Sequence, residues 1–277
     1  MTIFQAFILG LVQGLTEFLP VSSSAHLVFV QHLLGMRESM LFFDVVVHAG
    51  TLVSLFIYFA GDIAHLLRDS VYGIFFLLRR KSIRQITEIA PASYWALGIL
   101  VTSVPTGLLG FLFKKQFEAL FGSLHAVGFA LFGTSILLWL TRRFQEGEKP
   151  VEKASPLDFL TIGILQGVAI IPGISRSGST IAAALFRGIK REEAFRFSFL
   201  LAIPAILGAA VLELKEGFTL TSDQWVPVAV GLVTAAVFGY LSLAFLSSVV
   251  RQGKLHLFAF YTLALGCTIL LLSYRLE

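Results

Sequence analysis

The sequence predicts an all-α polytopic membrane protein, with six spanning helices plus two re-entrant helical hairpins in an inverted-topology repeat. Three observations carry this expectation. Of 277 residues, 56% are hydrophobic and 14% charged, with a mean hydropathy of +0.84, whereas a soluble domain carries about 25% charged residues. Several apolar runs approach or exceed the roughly 20 residues that cross a bilayer as helix, and they are continuous rather than alternating, which argues against a membrane barrel. Two further apolar stretches are interrupted by proline, glycine and serine, and these two resemble each other.

In chain order, residues 1–34 are apolar segments broken at Gly14, Glu17, Pro20 and Ser22-Ser23-Ser24. No Lys or Arg precedes the first run, so it is read as mature structure rather than a signal peptide. The first span is Leu41–Ala60. Ala64–Ala90 is basic and amphipathic in parts, which predicts an anchoring surface helix or helical hairpin in the cytoplasm. Spans follow at Tyr94–Phe113 and Leu120–Leu140, and then a charged, Pro-flanked loop, Thr141–Pro156. Leu157–Ile171 yields only about 22 Å of helix against a hydrocarbon core of about 30 Å, so it reads as the second re-entrant segment. Phe195–Leu214, Val226–Val250 and Leu255–Ser273 complete the six spans. Cys267, the single cysteine, lies inside the last; no intramolecular disulfide can form, and a buried, inert thiol is expected.

The interrupted stretches mark a duplication. Gly10-Leu11-Val12-Gln13-Gly14, followed by Pro20 and serines, parallels Gly163-Ile164-Leu165-Gln166-Gly167, followed by Pro172 and serines, with the glycine-to-proline spacing differing by one. Residues 1–140 are therefore read as a first repeat, 141–156 as a cytoplasmic linker and 157–277 as a second repeat. The net charge of +4 and a pI near 9.3 reflect basic residues concentrated in loops, which set topology rather than bind nucleic acid. Arg68, Arg79, Arg80, Lys81 and Arg84, then Arg142, Arg143, Lys149 and Lys153, and then Arg187, Lys190 and Arg191 all fall on one side if that side is the cytoplasm. Only Lys114-Lys115 falls outside. The first span then runs inward and its counterpart Phe195–Leu214 outward, an architecture whose sites lie where the repeats meet.

Irregular backbone at membrane depth persists only where protein or a wet cavity covers it, so both interruptions are candidate sites. Pro172–Thr180, with the sequence PGISRSGST, looks like a phosphate cradle. Gly173 and Gly178 free the backbone to turn its N–H groups onto an anion, and Arg176 adds a planar fork of donors. A helix starting near Ile181–Phe186 would bring its positive end to the same place. Serine and glycine also serve simply to pack membrane helices, but a buried arginine without an anion costs several kcal/mol. In the first interruption Gln13 and Glu17 share a helical face, and a carboxylate at this depth implies a partner: a metal ion, Arg176 or a proton to be moved. His26 alone is weak evidence, because a hydrogen-bonded structural histidine is common. Beside Glu17 and the serines it completes the parts needed to hydrolyse a phosphoanhydride.

The stretches Gln13–Glu17, Phe18–His26 and Pro172–Thr180, together with Phe43-Asp44 and Ser198–Pro204, resemble those of the bacterial undecaprenyl-diphosphate phosphatases, also called the bacitracin-resistance protein family. The resemblance extends along the whole chain. It implies hydrolysis of undecaprenyl diphosphate to undecaprenyl phosphate with the help of Mg²⁺ or another divalent cation such as Ca²⁺, in the multi-pass setting of the bacterial inner membrane. Carried over residue by residue, Glu17 holds the metal or acts as base, His26 relays the proton and Ser23 is nucleophile or oriented hydroxyl with Ser22 assisting. Arg176 clamps the diphosphate, with Gln13, Gly173, Ser175, Ser177 and Thr180 as further substrate contacts. The family allows Glu or Gln at the position of Gln13, so Glu17 is the one carboxylate in the motif. The partners implied are the polyprenyl lipid and the bilayer, with room for a homodimer. The competing class is a secondary transporter or lipid flippase, which inverted repeats and a midplane anion site would also serve; such a protein needs no nucleophile.

Overall fold

The computed structural model describes residues 1–36, 41–79, 83–144, 147–214 and 224–276. Arg80 and Lys81 of the first basic loop lie outside the described residues. Thirteen α-helices and short 3₁₀ turns make up the regular structure among those residues, with one isolated bridge pairing Lys149 of the linker with Ile189.

The first is α1 (Ile3–Phe18), opened by a capping box in which Thr2 and Gln5 satisfy each other's backbone N–H groups. It stops because Pro20 forces the residue before it out of the helical region: Leu19 has φ −62° and ψ 146°. The chain re-enters helix at α2 (Ser23–Leu33) under a Ser22 cap. Next come α3 (Leu41–Tyr58), α4 (Ala60–Leu78) and α5 (Ile83–Ile89), then α6 (Ala92–Leu112), α7 (Lys114–Phe121) and α8 (Leu124–Leu140). After the linker, α9 (Pro156–Val168) begins with Pro156 in its first turn and a Ser155–Asp158 capping box, the sequence signature of a helix start. Then follow α10 (Arg176–Phe186), α11 (Arg191–Leu214), α12 (Trp225–Arg251) and α13 (Phe258–Leu276).

Five helices, α6, α8, α11, α12 and α13, are long and apolar enough to span a bilayer, and a sixth span is present if α3 and α4 count as one broken element. Those two bend by 78° at their junction. The first predicted span therefore ends at Tyr58 and turns, so that the surface segment expected from Ala64 is already helical at Ala60. α10 likewise starts five residues before the expected apolar run, at Arg176, because Ser175 caps it by accepting from the Gly178 N–H. One expectation is corrected: Cys267 is exposed rather than buried, since it lies on the outward face of α13, where an apolar environment outside the protein serves as well as a core.

Packing between the halves is reciprocal. α1 lies on α12 while α9 lies on α6; α3 also packs on α12, α11 on α6, and α8 on α13. Glycines permit the closest crossings. A Cβ on Gly10 would stand 2.5 Å from the Gly231 carbonyl oxygen, and one on Gly163 only 2.2 Å from that of Thr102, far inside contact distance. An aromatic cluster of Phe18, Phe59, Phe195 and Phe199, with contacting ring centroids 4.8 to 6.2 Å apart, packs α1, the α3–α4 junction and α11 together next to Glu17.

Candidate active site

The two helix breaks meet. Ser22 and Ser175 stand equally far beyond Gly10 and Gly163, and each caps the second helix of its pair. The residue after each cap, Ser23 in one half and Arg176 in the other, reaches the same carboxylate. Arg176 Nη2 donates to Glu17 Oε1 at 3.0 Å, and Ser23 Oγ donates to Glu17 Oε2 at 2.6 Å. Gln13 Nε2 donates to Oε2 at 3.0 Å, as the four-residue spacing on α1 predicts. The pairs are stitched directly by the Gly173 N–H, which donates to Ser22 Oγ at 3.1 Å. Gly173 has φ 102°, and a Cβ there would meet the Val127 carbonyl oxygen at 2.5 Å; only glycine fits this turn.

Two unsatisfied groups flank the ion pair. Arg176 Nη1 is buried with no hydrogen-bond partner, and so is Gln13 Oε1. Buried polar groups are paired in the great majority of cases, so a cationic donor and an amide acceptor left over beside one carboxylate have the chemistry to take an anion's oxygen and a cation or donor respectively. Both α2 and α10 begin here, adding the positive ends of two helices to the anion side.

A divalent cation fits these residues as a minority ligand. Among the described residues no three acidic, His or Cys side chains gather around one point. Glu17 accepts three hydrogen bonds out of roughly four lone-pair positions, leaving one, and the Gln13 amide oxygen is free. A hard cation such as Mg²⁺ commonly takes one or two protein oxygens and completes its shell with waters and substrate phosphates.

Ser22 adopts φ 66°, the single positive-φ non-glycine among the described residues, and its hydroxyl lies 3.1 Å from that of Ser24. Ser175, Ser177 and Thr180 are buried and engaged within the scaffold: Ser177 donates to the Leu19 carbonyl at 3.2 Å, and Thr180 to the Arg176 carbonyl at 2.9 Å while also bonding Ser198. His26 is not joined to Glu17. Its Nδ1 faces the Ser22 carbonyl at 2.7 Å and its Nε2 the Tyr261 hydroxyl at 2.7 Å. The histidine beside Glu17 is His48 of α3, whose Nε2 stands 3.7 Å from Oε2 while Nδ1 bonds the Asp44 carbonyl at 2.6 Å. Sequence reasoning missed it. A lone imidazole in an apolar run carries no local signal beyond its polarity, and its nearness to Glu17 depends on how α3 lies against α1.

Fold and site together define a polytopic helical membrane protein in which two interrupted helix pairs converge on one buried carboxylate–guanidinium pair. The chain belongs to the bacitracin resistance protein BacA family, whose model matches residues 6–268. It is similar to proteins named undecaprenyl-diphosphatase: one from Carboxydothermus hydrogenoformans is 45% identical, covering 99% of this chain and 98% of its own length. Another from Desulfosudis oleivorans is 46% identical over 98% of both, and one from Alkaliphilus metalliredigens 41% identical over 99% of both.

Proposed function

We propose that this protein hydrolyses undecaprenyl diphosphate to undecaprenyl phosphate and inorganic phosphate, with Glu17, Ser23 and Arg176 at the reacting centre. The observation that carries the reading is the unpartnered Nη1 of Arg176 beside the Ser23–Glu17 hydrogen bond: a cationic donor able to take a phosphate oxygen, next to a hydroxyl already hydrogen-bonded to a carboxylate base. Arg176 Nη1 takes a non-bridging oxygen of the terminal phosphate and holds the phosphorus near Ser23. Ser23 Oγ attacks that phosphorus as its proton passes to Glu17 Oε2, and the bridging P–O bond breaks to release the monophosphate lipid. Water then attacks the phosphoserine, and the proton on Glu17 returns to Ser23 Oγ. Glu17 and Gln13 Oε1 would hold a divalent cation, which would supply charge neutralisation for the diphosphate.

The reciprocal packing of α1 on α12 and α9 on α6 supports two inverted repeats, 1–140 and 157–277 about the linker 141–156, with six spans and with α1–α2 and α9–α10 as re-entrant hairpins. The membrane is the bacterial plasma membrane; the site opens sideways to lipid, because the isoprenyl chain stays in the bilayer while its headgroup reaches Arg176, and toward the outer face, because with the linker 141–156 in the cytoplasm the α1–α2 hairpin enters from the opposite side. A homodimer is a further expectation, measured by the mass of the particle in detergent.

The deciding experiment is phosphate release from undecaprenyl diphosphate by the purified protein in detergent with Mg²⁺. Release at catalytic turnover, with phosphate trapped on Ser23 after acid quench, is expected. Lipid translocation across vesicles without phosphate release would establish the transporter class instead.

A further inference from the structure

We propose that Tyr261 and His26 form a positioning pair that braces the strained Ser22 peptide and thereby sets Ser23 Oγ against Glu17. The inference rests on the phosphatase reading of the site. The Ser22 carbonyl can only accept, so the 2.7 Å contact requires His26 to carry its proton on Nδ1. That leaves Nε2 as an acceptor, and the Tyr261 hydroxyl donates to it at 2.7 Å. The two rings are parallel to within 2°, with centroids 5.7 Å apart. Both imidazole nitrogens are thus engaged away from Glu17, and the ring works as a strut with a donor at one end and an acceptor at the other.

The strut has something to hold. Ser22, at φ 66° and ψ 93°, sits where a residue with a Cβ is disfavoured, and such conformations persist only when their surroundings over-determine them. Four bonds do so here. The Ser22 carbonyl accepts from both the backbone N–H of His26 at 3.3 Å and its ring at 2.7 Å. Its hydroxyl accepts from Gly173 and from Ala25. Ser23 follows immediately, so the direction of its Oγ is fixed by this peptide. Tyr261 belongs to α13, which packs on α8, and α8 in turn carries Thr134, whose hydroxyl accepts from the Ser175 N–H at 3.0 Å. The pair therefore ties the aim of Ser23 to the frame that holds Arg176.

The test compares Tyr261→Phe, His26→Asn, His26→Ala and the double variant Tyr261→Phe/His26→Asn in full-length protein, measuring kcat, KM and the pH profile of phosphate release. Asparagine reproduces the Nδ1–H donor without the Nε2 acceptor. Tyr261→Phe is expected to lower kcat about tenfold, the scale of a sub-ångström misplacement, with KM within about twofold and both limbs of the pH profile unmoved. His26→Asn should exceed His26→Ala, and Tyr261→Phe should cost nothing further in the His26→Asn background, as coupled neighbours require. Wild-type kcat in Tyr261→Phe, loss of one pH limb, or an undiminished Tyr261→Phe cost in the His26→Asn background would each overturn the pairing. The ¹⁵N resonances of His26 provide a readout independent of turnover: Tyr261→Phe must shift Nε2 while Nδ1 stays protonated, and an unshifted Nε2 refutes the pair. An inactive wild type with the expected shift would instead overturn the phosphatase reading and leave the pair standing.

Discussion

Replacing Arg176 by lysine keeps the charge and removes the fork, which makes it the sharpest probe of the site. Arg176 uses Nη2 on Glu17 Oε1 at 3.0 Å and has Nη1 buried and free, so one side chain can hold the carboxylate and an anion at once. A lysine ammonium is a single point: satisfying Glu17 turns it from the phosphate, and gripping the phosphate leaves Glu17 unpaired. The loss is one charge-assisted hydrogen bond, about 1.5–3 kcal/mol, or a fall of roughly ten- to hundredfold in kcat/KM at about 1.4 kcal/mol per factor of ten. Because positive charge stays next to Glu17, the fold should persist, with a melting temperature in detergent within a few degrees of wild type. The assay is phosphate release from a polyprenyl diphosphate by purified protein. Turnover within threefold of wild type would refute the grip, because no arrangement of one ammonium reproduces both contacts.

Three other outcomes follow from the same geometry. Gly14→Ala should cost about 1–3 kcal/mol in detergent unfolding, because its Cβ would lie 2.8 Å from the Ala235 carbonyl oxygen, while Gly107→Ala, with nothing within 4 Å, should be neutral or slightly stabilising; equal effects would mean that α1 does not press on α12. Chelation by excess EDTA should abolish phosphate release and Mg²⁺ should restore it, since one arginine cannot balance a diphosphate; full activity in chelator would remove any cation from Glu17 and Gln13. After Cys267→Ser, cysteines placed one at a time at Ser22, Ser23 and Ser24 should react with a membrane-impermeant thiol reagent on intact cells; labelling only after the membrane is breached would make the site inward-facing.

Much of the architecture was legible in the chain. Helices in an apolar solvent must satisfy their own backbone, so continuous apolar runs announce α3, α6, α8, α11, α12 and α13 with little ambiguity, and proline with serine caps announces where α1 and α9 stop. The glycine spacing in Gly10–Gly14 and Gly163–Gly167 marked two close helix crossings, because such crossings need missing side chains wherever they occur. The carboxylate, the serine and the guanidinium were legible as candidates by their cost: each is expensive in such surroundings unless it has work to do. What they are to one another was decided only by the tertiary structure. That Ser23 and Arg176, each the first residue of its helix, converge on Glu17 depends on how α1, α2 and α10 pack together. The histidines show the limit most clearly. His26, close to Glu17 in sequence, turns its ring to Tyr261 of α13, far along the chain, whereas His48, on another helix, comes to stand beside the carboxylate. Sequence reports which residues are costly to bury, a local property of each side chain; which of them face each other is set by helix packing, and that is a property of the whole fold.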